Sequence, residues 1–173
     1  MNEALNNLLT RRSIRKYKSE QVPEDKLLSV LEAATYAPTA RGTQSPLIVC
    51  VQNPEDIAVM KRLNAGIMGT DSDTFYGAPT VVVVFSDPEK CNSIYDASLV
   101  LGNMMNAAAA VGLGSCWIHR ARETFELPEG KALMRKWGIS ESWVGVGNCI
   151  LGIPDCPPPE PKERKDGYIV RIK

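Results

Sequence analysis

The chain has 173 residues, 44% of them apolar and 23% charged, which favours a single folded domain over a disordered chain. Its 20 Lys and Arg residues balance its 20 Asp and Glu residues, and this formal net charge of +0 argues against a general nucleic-acid-binding protein. The N-terminus lacks the apolar segment of a signal peptide, and no apolar stretch is long enough to span a membrane. We therefore expect a soluble cytoplasmic protein.

The first half of the chain predicts three helices and one strand. Residues 3–10 are predicted as a short helix, and Pro23 opens a second helix that ends before Pro38, because a residue that precedes proline avoids the helical conformation. Residues 47–52 are apolar and partly β-branched, which indicates a strand. Asn53 and Pro54 then cap and begin a third helix.

The second half alternates strands with helices. Residues 80–85 (TVVVVF) predict a strand that is buried on both faces, and residues 93–111 predict a long helix. Two more strands, at 115–118 and 143–151, flank a helix at 128–137. Helical spacing predicts that the following residues are buried: Leu27, Leu28, Leu31, Ala34, Ile57, Met60, Leu63, Ile94, Ala97, Leu101, Met104, Met105, Ala108 and Val111. This pattern is typical of an α+β or α/β fold.

The end of the chain differs in composition from the rest. Residues 154–161 are rich in proline and predict an extended arm, and residues 168–172 resemble a short strand. We expect this arm to pack against a partner subunit or a sheet edge, although a frayed tail is an equal alternative.

The five cysteines form no CxxC pair, and His119 is the one histidine of the chain. A Cys/His metal site therefore has little support, and we expect no metal. Reduced thiols in a cytoplasmic protein are the favoured interpretation.

Four segments contain residues that could bind a ligand, and each has an ordinary structural alternative. Residues 11–16 include two arginines and a serine that could hold a phosphate, or they form a solvated basic turn. Residues 37–46 form either a rigid loop that touches a ligand or a plain connection. Residues 112–119 contain glycines that allow close approach to a ligand, or they are a helix end that runs into a core strand. Residues 162–165 contain basic side chains that could bind a ligand, or they form a charged surface tail.

Together, these segments resemble the nitroreductase family. The resemblance rests on the RRSIR start, the APTARGTQ loop, the FYGAP segment before the valine strand, GLGSCWI, and a basic end after GIP, so it spans nearly the whole chain. It implies an α+β nitroreductase-like fold in which helices flank a central, mainly antiparallel sheet, and an intertwined homodimer with FMN at each subunit interface. Residues 1–153 would form the FMN-binding domain, and residues 154–173 its C-terminal arm and terminal strand.

The resemblance also implies which residues bind FMN. Arg11, Arg12 and Ser13 match the first flavin-binding segment, with Arg11 and Ser13 towards the phosphate. Arg15 matches a basic residue near N1 and O2 of the flavin, where a cation stabilises the anionic reduced ring. The remaining matches are Lys162 and Arg164 at the phosphate, Pro38, Thr39, Ala40 and Gln44 over the ring from the other subunit, Trp117, Ile118 and His119 along the ring near N5, and Asn64 at the ring.

The implied activity is electron transfer from NADH or NADPH through flavin N5 to a nitroaromatic, quinone or similar electron-poor acceptor. No separate catalytic residue is required, because the cofactor carries the difficult step. Two alternatives stay open: a related FMN enzyme that performs dehalogenation or flavin destruction, and a flavin-binding protein without turnover. His119 and Arg120 stand where many short relatives have glycine, so the His119 side chain either lies near the substrate or, as we favour, points to solvent. The chain is short, and we expect a pocket that is either more open than in larger relatives or completed by residues 64–76.

Overall fold

The computed structural model describes residues 2–173 and contains one antiparallel sheet of four strands. The strands are β1 (Leu47–Val51), β2 (Thr80–Ser86), β3 (Gly114–Ile118) and β4 (Val144–Gly152). They lie in the order β1-β2-β4-β3, so that β1 and β3 are the two edges. The predicted α+β class with an antiparallel sheet is therefore confirmed.

Six helices surround this sheet within the described residues. They are α1 (Glu3–Thr10), α2 (Glu24–Thr35), α3 (Pro54–Met68), α4 (Ser93–Ala110), α5 (Ala121–Glu126) and α6 (Pro128–Lys136). Helix α3 begins as predicted, because the side-chain oxygen of Asn53 accepts hydrogen bonds from the backbone N–H of Glu55 at 3.0 Å and of Asp56 at 3.1 Å. None of the helices among residues 2–173 has the length and apolarity that a membrane crossing needs.

Strand β2 lies at the centre of two hydrophobic layers. Val81, Val83 and Phe85 face the layer formed with α3, α5 and α6, whereas Val82 and Val84 face the layer formed with α2 and α4. All five side chains are fully buried, which confirms the predicted burial of this strand on both faces.

Two of the sequence predictions about structure are wrong, and one element was missed. Residues 168–172 form no strand, and their side chains are exposed instead of packing on the chain's own sheet edge. Leu28 and Ile94 were predicted to be buried, but both are more than half exposed, and Val30 supplies the buried face of α2 instead. Helix α5 was not predicted.

Candidate functional site

The segment that contains the first arginines runs along the edge of the sheet beside β3. Ser13 forms a parallel bridge with Ser115, and the backbone N–H of Ile14 donates to the Ser115 carbonyl oxygen at 3.0 Å. Two residues beyond Lys16, the N–H of Lys18 donates to the Ile153 carbonyl oxygen at 2.9 Å. The RRSIR segment and the GLGSCWI segment, which are a hundred residues apart, are thus neighbours in the fold.

Glycines allow this close approach. A Cβ atom at Gly114 would lie 3.0 Å from Cβ of Ile14, and one at Gly152 would lie 2.7 Å from Cδ1 of Tyr17. Gly112, with a φ of 76°, ends α4. The glycines of the 112–119 segment therefore serve a helix end and protein packing, which corrects the alternative that they admit a ligand.

A cleft of about 450 Å³ opens where β3 leaves this packed edge. Arg15 contributes from the first segment, and residues 116–120 contribute from the end of β3. The opposite wall comes from Met68, Ser72, Asp73, Thr74 and Tyr76, within the segment expected to complete the pocket. The structure thus brings together four of the predicted site residues: Arg15, Trp117, Ile118 and His119.

Two buried asparagines fix the backbone of this wall. Nδ2 of Asn64 donates to the carbonyl oxygen of His119 at 2.7 Å, and Nδ2 of Asn148 donates to that of Ile118 at 3.2 Å. Both side chains are almost completely buried. Asn64 therefore lies behind the described cleft lining, and its contact with the flavin ring stays a prediction. The sequence analysis missed Asn148, although an asparagine in the otherwise apolar run VGVGNCILG is a signal of such a role.

The cleft has an excess of cationic side chains. Arg15 and Arg120 line it, and the Arg15 guanidinium lies 6.0 Å from the ring centre of Tyr76. Asp73 is the single acidic residue among its described lining residues, and its carboxylate already accepts hydrogen bonds from the backbone N–H of Phe75 and Gly77 and from Lys61.

Left-handed backbone at non-glycine residues is concentrated at the cleft and in the 37–46 loop. Tyr76 (φ 55°) and Arg120 (φ 72°) line the cleft, and Arg41 (φ 55°) and Gln44 (φ 48°) lie in the loop before β1. Among residues 2–173, no other non-glycine residue has a positive φ. Such conformations cost about 1–3 kcal/mol each and cluster at ligand sites.

Arg11 and Arg12 lie where the first segment leaves α1. The Nη1 of Arg12 donates to the carbonyl oxygens of Leu9 at 2.9 Å and Arg11 at 2.8 Å, so this side chain closes the end of the helix. The Nη1 of Arg11 and the Nε of Arg12 are buried and have no hydrogen-bond partner among residues 2–173. Buried donors of this kind need an acceptor, and a phosphate group would supply one.

The predicted loop residues Pro38, Thr39, Ala40 and Gln44 do not line this cleft. The backbone N–H of Ala40 donates to Oδ1 of Asp96 at 3.0 Å, which holds the loop against the start of α4. The loop leads into β1, three strand spacings of about 4.8 Å, or about 14 Å, from β3 across the sheet. Within one chain the loop is thus separated from the cleft.

Lys162 and Arg164 lie in the exposed C-terminal arm, outside the cleft lining. The Nη2 of Arg164 donates to the carbonyl oxygen of Lys162 at 2.8 Å, so these two residues are near each other. No described contact joins either of them to the other predicted phosphate-binding residues of the same chain.

Comparison of the sequence with known proteins finds similarity to nitroreductases. The sequence profile of the nitroreductase family matches residues 8–70 and 66–153. A protein of Archaeoglobus fulgidus that bears the name NADH dehydrogenase/NAD(P)H nitroreductase is 30% identical over 173 residues, which cover 97% of this chain and 91% of that protein.

Solved structures agree with the sequence comparison. A nitroreductase with bound FMN from Bacteroides fragilis superposes with a TM-score of 0.91, at 28% identity and with 100% of both chains covered. An FMN-dependent nitroreductase from Clostridium difficile superposes with a TM-score of 0.88, at 26% identity and with 99% of both chains covered.

Proposed function

This chain belongs to the nitroreductase family, and from that premise we propose that it is an FMN-dependent oxidoreductase that passes electrons from NADH or NADPH to a flat, electron-poor acceptor such as a nitroaromatic compound or a quinone. One observation carries the proposal: a buried, unpartnered arginine donor and a cationic cleft lie on the same edge of the sheet.

The residues on this edge fit FMN. The unpartnered Nη1 of Arg11 supports a phosphate contact there, because an anion would satisfy a buried cationic donor. The cleft of about 450 Å³ lies in the size range of cofactor pockets. Arg12, Ser13, Arg15, Trp117, Ile118 and His119 belong to the same proposed site, and Asn64 supports it from behind.

FMN, when bound, would supply the redox chemistry by which electrons pass from the nicotinamide to the acceptor. The protein's contribution is binding and orientation. Arg15 offers a positive charge to the ring, and the backbone held by Asn64 and Asn148 forms a fixed wall beside it.

We also propose that the protein is a homodimer whose partner completes each site. Helix α1 has no buried residue, and its Leu5, Leu8 and Leu9 are all more than half exposed. On α4, Ile94, Tyr95 and Leu99 are 52%, 72% and 48% exposed, so a second apolar surface lies uncovered. A monomer rarely leaves so many large apolar side chains in solvent.

The separation of the loop from the cleft supports the same arrangement. Pro38, Thr39, Ala40 and Gln44 would cover the FMN of the partner subunit, because their loop leads into the edge strand opposite β3, and strands β1 and β3 are about 14 Å apart by strand spacing. Lys162 and Arg164, in the exposed arm, would reach the phosphate in the same way.

The cysteines support a cytoplasmic location. All five are free thiols, and Cys116 and Cys149 are buried. Burial raises the pKa of Cys149 far above its ordinary value, so this thiol stays protonated and unreactive. Unpaired thiols are typical of reducing compartments.

Titration of the apoprotein with FMN tests the binding part of the proposal. We expect the wild type to bind FMN, and Arg11→Ala to bind it more weakly by about 1.5–3 kcal/mol, because a charged hydrogen bond is lost. Arg122→Ala is the matched control, since Arg122 is an exposed arginine of α5 that pairs with Glu126. Wild-type protein that binds no FMN, or Arg11→Ala with unchanged affinity, would contradict the assignment.

A further inference from the structure

We propose that the acceptor carries a carboxylate or similar anionic group on its electron-poor ring, and that Arg120 binds this group at the mouth of the cleft. The inference rests on the proposed function, because the acceptor must meet the cofactor in this cleft. It goes further by naming a chemical class of acceptor and the residue that selects it.

Arg120 is positioned for such a role by its backbone. It precedes α5, its φ of 72° and ψ of 21° lie in the left-handed region, and its carbonyl oxygen accepts the Thr124 N–H at 2.9 Å. Glycine adopts this conformation without strain, whereas arginine does not. The sequence therefore retains a large cation at a position where the backbone favours glycine.

The guanidinium of Arg120 has no competing partner. It lines the cleft, is partly buried, and forms no ion pair with a carboxylate among residues 2–173. By contrast, the neighbouring Arg122 is paired with Glu126 at 2.9 Å. Arg120 thus keeps its fork of donors free for a ligand with two oxygens.

The rest of the cleft reinforces a preference for anions. Arg15 lines it too, while the carboxylate of Asp73, the acidic residue of the described lining, is engaged by Lys61 at 3.4 Å. The proposed cofactor accounts for Arg15, through the flavin ring, and for Arg11, through the phosphate. Arg120 is left without a role on the cofactor.

Binding of two matched ligands to the FMN-loaded protein tests the inference without turnover. Benzoate and benzamide have the same ring and differ in charge, and their binding is followed by the flavin spectrum. We expect the ratio of benzoate affinity to benzamide affinity to be about fivefold higher in the wild type than in Arg120→Gly, which is the effect of a partly exposed ion pair. Arg120→Lys should keep part of this preference.

Two controls separate charge from folding. Arg122→Ala removes a neighbouring arginine outside the cleft lining and should leave the benzoate-to-benzamide ratio unchanged. Arg120→Gly relieves the left-handed strain, so its Tm should not fall below that of the wild type. A ratio for Arg120→Gly equal to the wild-type ratio would overturn the inference.

Turnover then distinguishes the inference from the function on which it rests. Reduction of 4-nitrobenzoate should exceed that of 4-nitrobenzamide in kcat/KM, and this preference should weaken in Arg120→Gly. If Arg120→Gly instead alters only the NADPH-to-NADH ratio, Arg120 serves a donor phosphate and the inference fails. If the wild type reduces neither acceptor, the proposed function fails, while the benzoate measurement still decides the role of Arg120.

Discussion

The side-chain amide of Asn64 donates a hydrogen bond of 2.7 Å to the backbone carbonyl oxygen of His119, from a position with no solvent exposure. This bond joins α3 to the end of β3 and so links two elements that a sheet alone does not connect. Because His119 lines the cleft, the position of the cleft wall depends on a residue outside the described lining.

Asn64→Leu should therefore weaken both folding and FMN binding. The substitution leaves a buried carbonyl without its donor, which costs about 1–3 kcal/mol in the free energy of unfolding. Urea unfolding and FMN titration measure the two effects. Asn103→Leu is the control, because its amide bonds to Ala33 between α4 and α2 and should affect stability alone. FMN affinity that is the same in Asn64→Leu and in the control would contradict the positioning role.

Arg15→Ala should lower the reduction potential of bound FMN, because a cation near N1 and O2 stabilises the reduced ring. Each kcal/mol of lost stabilisation corresponds to about 20 mV for a two-electron couple. Arg15→Lys keeps the charge and should retain most of the potential. Spectroscopic redox titration measures the reduction potential. A potential of Arg15→Ala equal to that of the wild type would contradict the placement of Arg15 near the flavin ring.

Asp56→Asn should destabilise the fold at neutral pH. Burial alone would raise the pKa of Asp56, but hydrogen bonds from Lys136 and from Nε1 of Trp137, at 2.9 Å, outweigh it and hold this pKa below its ordinary value. A lowered pKa stabilises the fold above the ordinary carboxyl pKa, and this contribution is lost as the pH falls through the lowered value.

The difference in unfolding free energy between wild type and Asp56→Asn should then be about 1–3 kcal/mol at pH 7 and should shrink towards pH 3. Chemical unfolding at both pH values measures it. Asp71→Asn, in the exposed loop before β2, should show no such pH-dependent difference. A difference in unfolding free energy between wild type and Asp56→Asn that does not change with pH would contradict the ion pair between Asp56 and Lys136.

Leu9→Asp should dissociate the proposed homodimer, because it puts a charge on the 61%-exposed leucine of α1. Leu127→Asp is the control. It also replaces an exposed leucine, but at the N-cap of α6, where aspartate is favourable. Sedimentation velocity distinguishes the two. A wild-type monomer would contradict the homodimer, and a Leu9→Asp dimer as stable as the wild type would place the interface elsewhere.

Much of the fold follows from local signals in the sequence. The run of valines in β2 and the Asn53–Pro54 start of α3 are strong local signals, and both elements lie where the sequence predicts them. Helix α5 was missed because it has only six residues and follows a left-handed arginine in place of a capping side chain. Residues 168–172 have the composition of a strand but no neighbouring strand within their own chain.

The site was harder to predict, because its parts meet only through tertiary contacts. The RRSIR and GLGSCWI segments are ligand-binding candidates by composition, yet their proximity depends on the bridge between Ser13 and Ser115. The buried amides of Asn64 and Asn148 act on carbonyls that no sequence pattern identifies. Tyr76 and Arg120 carry no sign of their left-handed backbone in the residue type.

An anaerobic absorbance spectrum of the FMN-loaded protein tests the proposed activity most directly. On addition of NADH or NADPH, the flavin bands should bleach, and a nitroaromatic compound or a quinone should restore them. Bands that persist with both donors in the FMN-loaded wild type would contradict an NAD(P)H-dependent oxidoreductase.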